Sequence, residues 1–387
     1  MIVITPLALS MEEPMIAIDQ QEIASESHNV LKLKYFDYIE LYVGNPVQAA
    51  HYYQTAFGFT PIAYAGLETK VRDKASFVLQ QGDIRLVLTG GFDADSPTNE
   101  HVRIHGDSVK DIAFEVDDVA AVFSSAVAHG AKPLLEPTVF EGQKGRVIKA
   151  TIAAYGDTVH SFVQRNEYQG VFFPGYHKFT SPLQSESTGL IEIDHVAVGI
   201  EPGQLDAWVD FYKKILSFHE MHEEMISTEH SSMNSKVVED SSQRIKFPLV
   251  SPIPSTRKSQ IDEYLAYHHG AGTQHIAFLC HDIVATVKSL EARGIRFLRT
   301  PGSYYDMLEE RVGELDSELL ANLRELNILV DRDDWGSLMQ IFTKPVQSRP
   351  TMFMELIQRN GARGFGAGNI KALFQAVERE QELRGTI

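Results

Sequence analysis

Four stretches of the chain alternate apolar and polar positions with the two-residue period of a strand and then pass into the three-to-four-residue period of a helix. FDYIELYVGNPVQAAHYYQTAFGF, from Phe36, and IDHVAVGIEPGQLDAWVDFYKKILSF, from Ile193, form one matching pair. KDIAFEVDDVAAVFSSAVAHGAKPL, from Lys110, and QHIAFLCHDIVATVKSLEARGIRFL, from Gln274, form a second, with Gly130 and Gly294 placed as helix C-terminal glycines. Short strands follow each unit, among them FVLQQGDIRLVLT and SLMQIFTK. The pattern predicts an α+β chain of four βαβββ modules in two similar halves, 31–180 and 190–387. The Pro/Ser/Thr-containing stretch between Tyr176 and Gly189 is the expected boundary. Residues 1–30 read as a mobile extension, with no basic segment ahead of an apolar one as a secretory signal requires.

Candidate chemistry lies in the second half. His195, His275 and Glu355 each sit in a strand-like apolar run, and together they are the ligand set of a 2-His-1-carboxylate iron site. A closed structural zinc site needs a fourth protein ligand. The repeat supplies a comparison within the chain: aligning FDY with IDH, KDIAF with QHIAF and HSFVQR with MELIQR puts Tyr38, Asp111 and Ser161 where the three ligands stand. One half keeps the frame without the ligands, so the expectation is one catalytic half and one structural half.

Charge and thiol content narrow the partners. With 52 acidic against 35 basic side chains the formal charge is -17, which disfavours a nucleic-acid or anionic-membrane surface. No apolar run reaches the roughly 20 residues of a membrane helix. The single cysteine, Cys280, fits a reducing cytoplasm, and its place in IAFLC reads as a buried small side chain despite His281 beside it.

The stretch QIFTKPVQSRPTMFMELIQRNGARGFGAGNIKALFQAVEREQELRG, with GAGTQHIAF and KSQIDEYL upstream, resembles the family of 4-hydroxyphenylpyruvate dioxygenase and its sister 4-hydroxymandelate synthase, from about Tyr35 to the C-terminus. The resemblance implies the vicinal-oxygen-chelate, glyoxalase-like fold, with two open β-barrel halves and a C-terminal helix as a lid. It implies Fe(II) on His195, His275 and Glu355, a 2-oxo acid and O2 as substrates, and self-association into a homo-oligomer. It further points to Ser235, Gln260, Gln274 and Gln340 as polar pocket residues, to Phe342 and Phe365 as aromatic walls, and to Pro248 as a retained pocket proline.

Two positions depart from the ring-hydroxylating pattern. GFGxGNF reads GFGAGNI here, which puts Ile370 in place of a phenylalanine, and PINEP reads PLVSP, which puts Val250 in place of an asparagine. Isoleucine at the first position is what the mandelate-forming sister carries. Gly366, Gly368, Pro248 and the ending EREQELRG follow the ring hydroxylase, so homogentisate is the expected product and 4-hydroxymandelate the alternative. A glyoxalase-like or ligand-sequestering protein, with zinc or no metal, is the reading from another class. Ile370, Leu373, Phe374 and Val377 also fall on one face of the C-terminal helix, where packing alone would account for Ile370.

Overall fold

The computed structural model describes residues 31–227, 232–255 and 258–385, so the expected extension over 1–30 lies outside the described residues. The first module runs through β1 (Leu33–Tyr42), a helix (Pro46–Phe57), β2 (Thr60–Ala65), β3 (Lys74–Gln81) and β4 (Ile84–Gly91). The second is β5 (Ser108–Val116), a helix (Val119–Ala128), β6 (Pro133–Gly142), β7 (Gly145–Ala153) and β8 (Val159–Gln164). After a short β9 (His177–Lys178), the third is β10 (Leu190–Gly199), a helix (Leu205–Leu216), β11 (His219–Ser227), β12 (Ser232–Glu239) and β13 (Lys246–Ile253). The fourth is β14 (Gly272–Cys280), a helix (Ile283–Ala292), β15 (Leu329–Arg332), β16 (Ser337–Phe342) and β17 (Phe353–Asn360).

Local chemistry sets the helix ends. Asp118 and Asp282 hold corresponding positions in the repeat, and each accepts the backbone N–H three residues on, from Ala121 at 3.0 Å and Ala285 at 2.9 Å. Gly130 and Gly294 follow those helices with φ of 104° and 91°, the left-handed exit that the pattern predicts. Helices outside the predicted modules also appear: Pro97–His105 and Gln260–His268 join the two modules of each half at equivalent places, and three short ones without a counterpart, Gly302–Asp306, Leu308–Val312 and Ser317–Leu326, lie inside the fourth. Ser96, Ser259 and Asp316 cap three of them locally, but their positions follow from tertiary packing.

The strands form two curled open sheets, ordered β6-β7-β8-β5-β1-β4-β3-β2-β9 and β11-β12-β13-β10-β14-β17-β16-β15. In each, the first strands of two modules pair antiparallel at the centre, β1 with β5 and β10 with β14. The boundary stretch is strapped to the first sheet, since β9 pairs with β2 and Gln81 accepts the Thr188 backbone N–H at 2.7 Å. The helix Ala367–Arg384 lies against β11 and β15, the two edges of the second sheet, and so closes the gap that an open barrel leaves.

The largest apolar cluster draws on both halves, from Ile39 and Phe114 to Phe247 and Ile276. At its centre Phe247, fully buried, stacks on Tyr212 at 4.9 Å and meets Phe36 and Phe114 edge-on at 5.8 and 6.2 Å. Interiors are packed too densely to close such a gap, so Phe247→Ala should cost about 3–5 kcal/mol. Because the cluster is shared, both halves should melt together at a lower temperature in calorimetry. Two separated transitions, one at the unaltered temperature, would contradict a common core.

Candidate metal centre

The strand register brings the three candidate ligands to one face of the second sheet. Antiparallel pairing of β10 with β14 sets His195 opposite Ala277 and Ala197 opposite His275, and parallel pairing of β14 with β17 sets Ala277 beside Glu355. Small alanines at the crossing points leave room for two imidazoles and a carboxylate above them. His195 Nε2 stands 3.1 Å from Glu355 Oε2, and His275 Nε2 stands 3.2 Å from the same oxygen. All three residues are buried. Ligands about 2.1 Å from one metal ion and at right angles to each other stand about 3 Å apart, so this donor set fits a single divalent cation with an open opposite side.

Neighbours fix how each ligand points. Asp194 Oδ1 lies 2.7 Å from His195 Nδ1, which turns Nε2 toward Glu355. Gln274 Oε1 does the same for His275 Nδ1 at 3.1 Å. Gln340 Nε2 donates to Glu355 Oε1 at 2.9 Å and leaves Oε2 to the imidazoles. Asp194 is in turn held by Arg359, whose Nε donates at 2.6 Å and whose guanidinium lies over the Phe365 ring. Burial would push the Glu355 carboxyl up, but His195 and His275 beside it hold it down at about 2. Burial likewise drives His275 below its ordinary value, in the direction of the neutral imidazole that a metal requires.

A second group that could converge on a cation, His101, His105 and Asp157, is already occupied by its own contacts. Asp157 Oδ2 takes His101 Nδ1 at 2.7 Å and has the Lys110 ammonium 3.4 Å away, while His101 Nε2 meets Ser108 Oγ.

Every pocket residue singled out in the sequence borders one cavity above the triad. Gln274, Gln340 and Gln260 form its polar side. Ser235 and Val250 face each other across β12 and β13, with Pro248 two residues along. Phe342 lies 6.1 Å from the His275 ring, and Phe365 meets His195 edge-on at 5.0 Å. Ile370 reaches the same cavity from the C-terminal helix and packs in a cluster with Val250, Met233 and Phe374. The two departures from the ring-hydroxylating pattern therefore belong to one wall, and Ile370 both packs and lines the cavity.

The free volume is about 50 Å³, room for a few waters but not for an aryl keto acid. Cys280 is buried with its thiol pushed up to about 12 by burial, which makes it inert.

Sequence reasoning passed over three residues. Asp194 and Arg359 recur as Asp37 and Arg165 in the first half, and that identity was the available signal. Asn369, fully buried, donates to Gln340 Oε1 at 2.9 Å and accepts from Tyr304 Oη at 2.8 Å, so it links the lid helix to Glu355 through one side chain. It sits inside the quoted GFGAGN motif, but nothing local shows its partners.

Comparison with known proteins agrees with this frame. The family model "Hydroxyphenylpyruvate dioxygenase, HPPD, N-terminal" matches residues 27–174, and that of the Glyoxalase/Bleomycin resistance protein/Dioxygenase superfamily matches 192–310. The chain is 41% identical to the 4-hydroxyphenylpyruvate dioxygenase of Neurospora crassa over 395 residues, covering 95% of this chain and 96% of the relative. It is 43% identical to that of Dictyostelium discoideum over 364 residues, with 91% and 99% covered. A solved structure of a mutant 4-hydroxymandelate synthase from Streptomyces coelicolor superposes with a TM-score of 0.82 at 38% identity, covering 91% of this chain and all of that one. A duplicated open-barrel frame, matched to relatives over nearly their full length, assigns the chain to the 4-hydroxyphenylpyruvate dioxygenase family, with the vicinal-oxygen-chelate fold.

Proposed function

We propose that the protein is an Fe(II)-dependent decarboxylating dioxygenase that converts 4-hydroxyphenylpyruvate and O2 to homogentisate and CO2, as a cytoplasmic homo-oligomer. The observation that carries this reading is the convergence of His195, His275 and Glu355 on one point beneath an aromatic-walled cavity. Fe(II) on these ligands would supply the electrons that dioxygen lacks on its own, together with open positions for the two oxygens of a 2-oxo acid and for O2.

The chain supplies the rest. The amides of Gln260 and Gln274 offer donors to a carboxylate or phenol without adding charge to a dry site. Gln260 Oε1 is buried with no partner among the described residues, which leaves it free to accept a phenol hydrogen. Phe365 and Phe342 hold a ring by edge and face contacts. Closure of the helix Ala367–Arg384 excludes water, and Asn369 makes closure sensitive to the Gln340–Glu355 pair.

A second reading, 4-hydroxymandelate as product, is favoured by the shared wall of Val250 and Ile370. Both reactions begin alike, and the product depends on whether the ring or the benzylic carbon is held where oxygen is delivered. A missing stacking partner is worth roughly 0.5–1.5 kcal/mol, up to about tenfold in a branching ratio. Phenylpyruvate belongs in the substrate panel, because this wall is apolar.

Product analysis after turnover of 4-hydroxyphenylpyruvate by the Fe(II)-loaded protein should give homogentisate, with the ratio unchanged in Ile370→Phe. Hydroxymandelate from the natural sequence, shifting about tenfold toward homogentisate in that variant, would reverse the assignment. Asp194→Asn keeps the shape but loses the charge behind His195, and should weaken iron binding by roughly 10–100-fold in competition with a chelator. Asn369→Ala should raise O2 consumed per product formed above one, because the lid loses its tie to Gln340. A ratio that stays at one would remove Asn369 from lid control.

A further inference from the structure

The first half reproduces the metal-site frame position by position. Arg165 holds Asp37 at 2.7 Å as Arg359 holds Asp194, and its guanidinium lies over Phe172 and Phe173 at 4.9 and 4.5 Å as that of Arg359 lies over Phe365. Tyr38, opposite Ala113, takes the place of His195, and Asp111, opposite Glu40, takes the place of His275. Lys149 pairs with Val163, two residues past Ser161, as Gln340 pairs with Ile357, two residues past Glu355. Lys149 therefore stands where Gln340 stands.

Its ammonium fills the role of the cation. Lys149 Nζ donates to Tyr38 Oη at 2.7 Å and to Asp111 Oδ2 at 2.8 Å, and Ser161 Oγ donates to the same carboxylate oxygen at 2.8 Å. A single tethered positive charge thus sits among the three residues that replace the triad. An ammonium has three donors, and the third has no acceptor among the described residues. Burial would lower the Lys149 pKa, but the charges of Asp111 and Glu40 prevail and raise it, so the group stays charged.

Lys149 lies at the wall of a cavity of about 240 Å³, several times roomier than the one over the triad. Phe140, Phe172, Phe173 and Tyr176 give it aromatic sides. Lys74, with no ion pair among the described residues, and Glu40 add one charge of each sign. Asp111 balances Lys149 directly, so the groups left to a ligand are a free ammonium donor and Lys74 for an anion and, for a cation, the aromatic faces with Glu40, one oxygen of which accepts from Thr89 Oγ1 at 2.6 Å. A volume a little under the roughly 300 Å³ at which drug-sized sites begin suits a ligand of about a dozen heavy atoms.

We propose that this cavity is a second binding site, specific for a small aromatic zwitterion, an aromatic α-amino acid in place of a keto acid. Its carboxylate meets Lys149 and Lys74, its ammonium meets Glu40, and its ring lies among the phenylalanines. The site requires no metal and does not depend on the reaction assigned to the other half.

The test is calorimetric titration of the metal-free full chain with L-phenylalanine, phenylacetate and phenethylamine. L-Phenylalanine should bind at one equivalent per chain, and the two analogues, each lacking one charge, should bind at least tenfold more weakly. Lys149→Met should abolish binding, but it strands Asp111 and endangers folding. Lys74→Ala and Glu40→Gln therefore carry the test, each with a loss of about threefold or more, and Glu40→Gln should also erase the preference over phenylacetate. No saturable binding, equal binding of phenylacetate, or unchanged affinity in both of these variants would overturn the proposal.

Discussion

Glu355 is a carboxylate at 1% exposure, and much of the second half is arranged around keeping it charged. Burying an isolated anion costs several kcal/mol even after the protein relaxes, so compensation has to be close and directional. Two imidazoles share one of its oxygens, and Gln340 donates to the other. Asp194, Arg359, Gln274 and Asn369 then fix those partners, so a change in any of them is felt at the carboxylate. The same geometry that makes the anion tolerable makes three lone pairs converge, and a divalent cation is what such convergence suits.

Duplication explains why so elaborate a support exists. The Asp–Arg pair and the arginine stacked on phenylalanine occur in both halves, at Asp37–Arg165 and Asp194–Arg359. So does a glutamine that accepts the first N–H of the second module's helix, Gln164 for Val119 and Gln358 for Ile283. These features belong to the frame and hold strands in register whatever stands between them. What differs is the occupant of the centre: imidazoles and a carboxylate in one half, a lysine ammonium bound by tyrosine, aspartate and serine in the other. The ammonium puts a positive charge at the place where the other half gathers the lone pairs that suit a cation.

The helix Ala367–Arg384 couples fold to chemistry. An open sheet leaves its edges, β11 and β15, apart, and the helix covers the gap with Leu373, Phe374 and Ile370. That apolar face is also the roof of the cavity, so Ile370 and Leu373 both cover the sheet edges and line the space above the triad. The overlap explains why Ile370 satisfies helical periodicity and a pocket position together.

Modules, glycine exits, the halves and the triad were legible in the chain because each rests on local periodicity or on an internal repeat. Two-residue alternation places His195 and Glu355 in strands, and the comparison with Tyr38 and Ser161 isolates them. Asn369, Tyr304 and the Lys149 ammonium could not be read this way, since their partners lie 29, 65 and 111 residues away in sequence. The helices between modules belong to the same class: Gln260–His268 is amphipathic on its own, but only packing against the C-terminal helix makes Gln260 a pocket residue. The sequence by itself determined the family, the four modules and the three residues, His195, His275 and Glu355, that the fold brings together. Tertiary structure alone decided which side chains orient them, which wall Val250 and Ile370 share, and what fills the other barrel. Those outcomes depend on strand register and on the meeting of distant side chains in a low-dielectric interior, which no local pattern encodes.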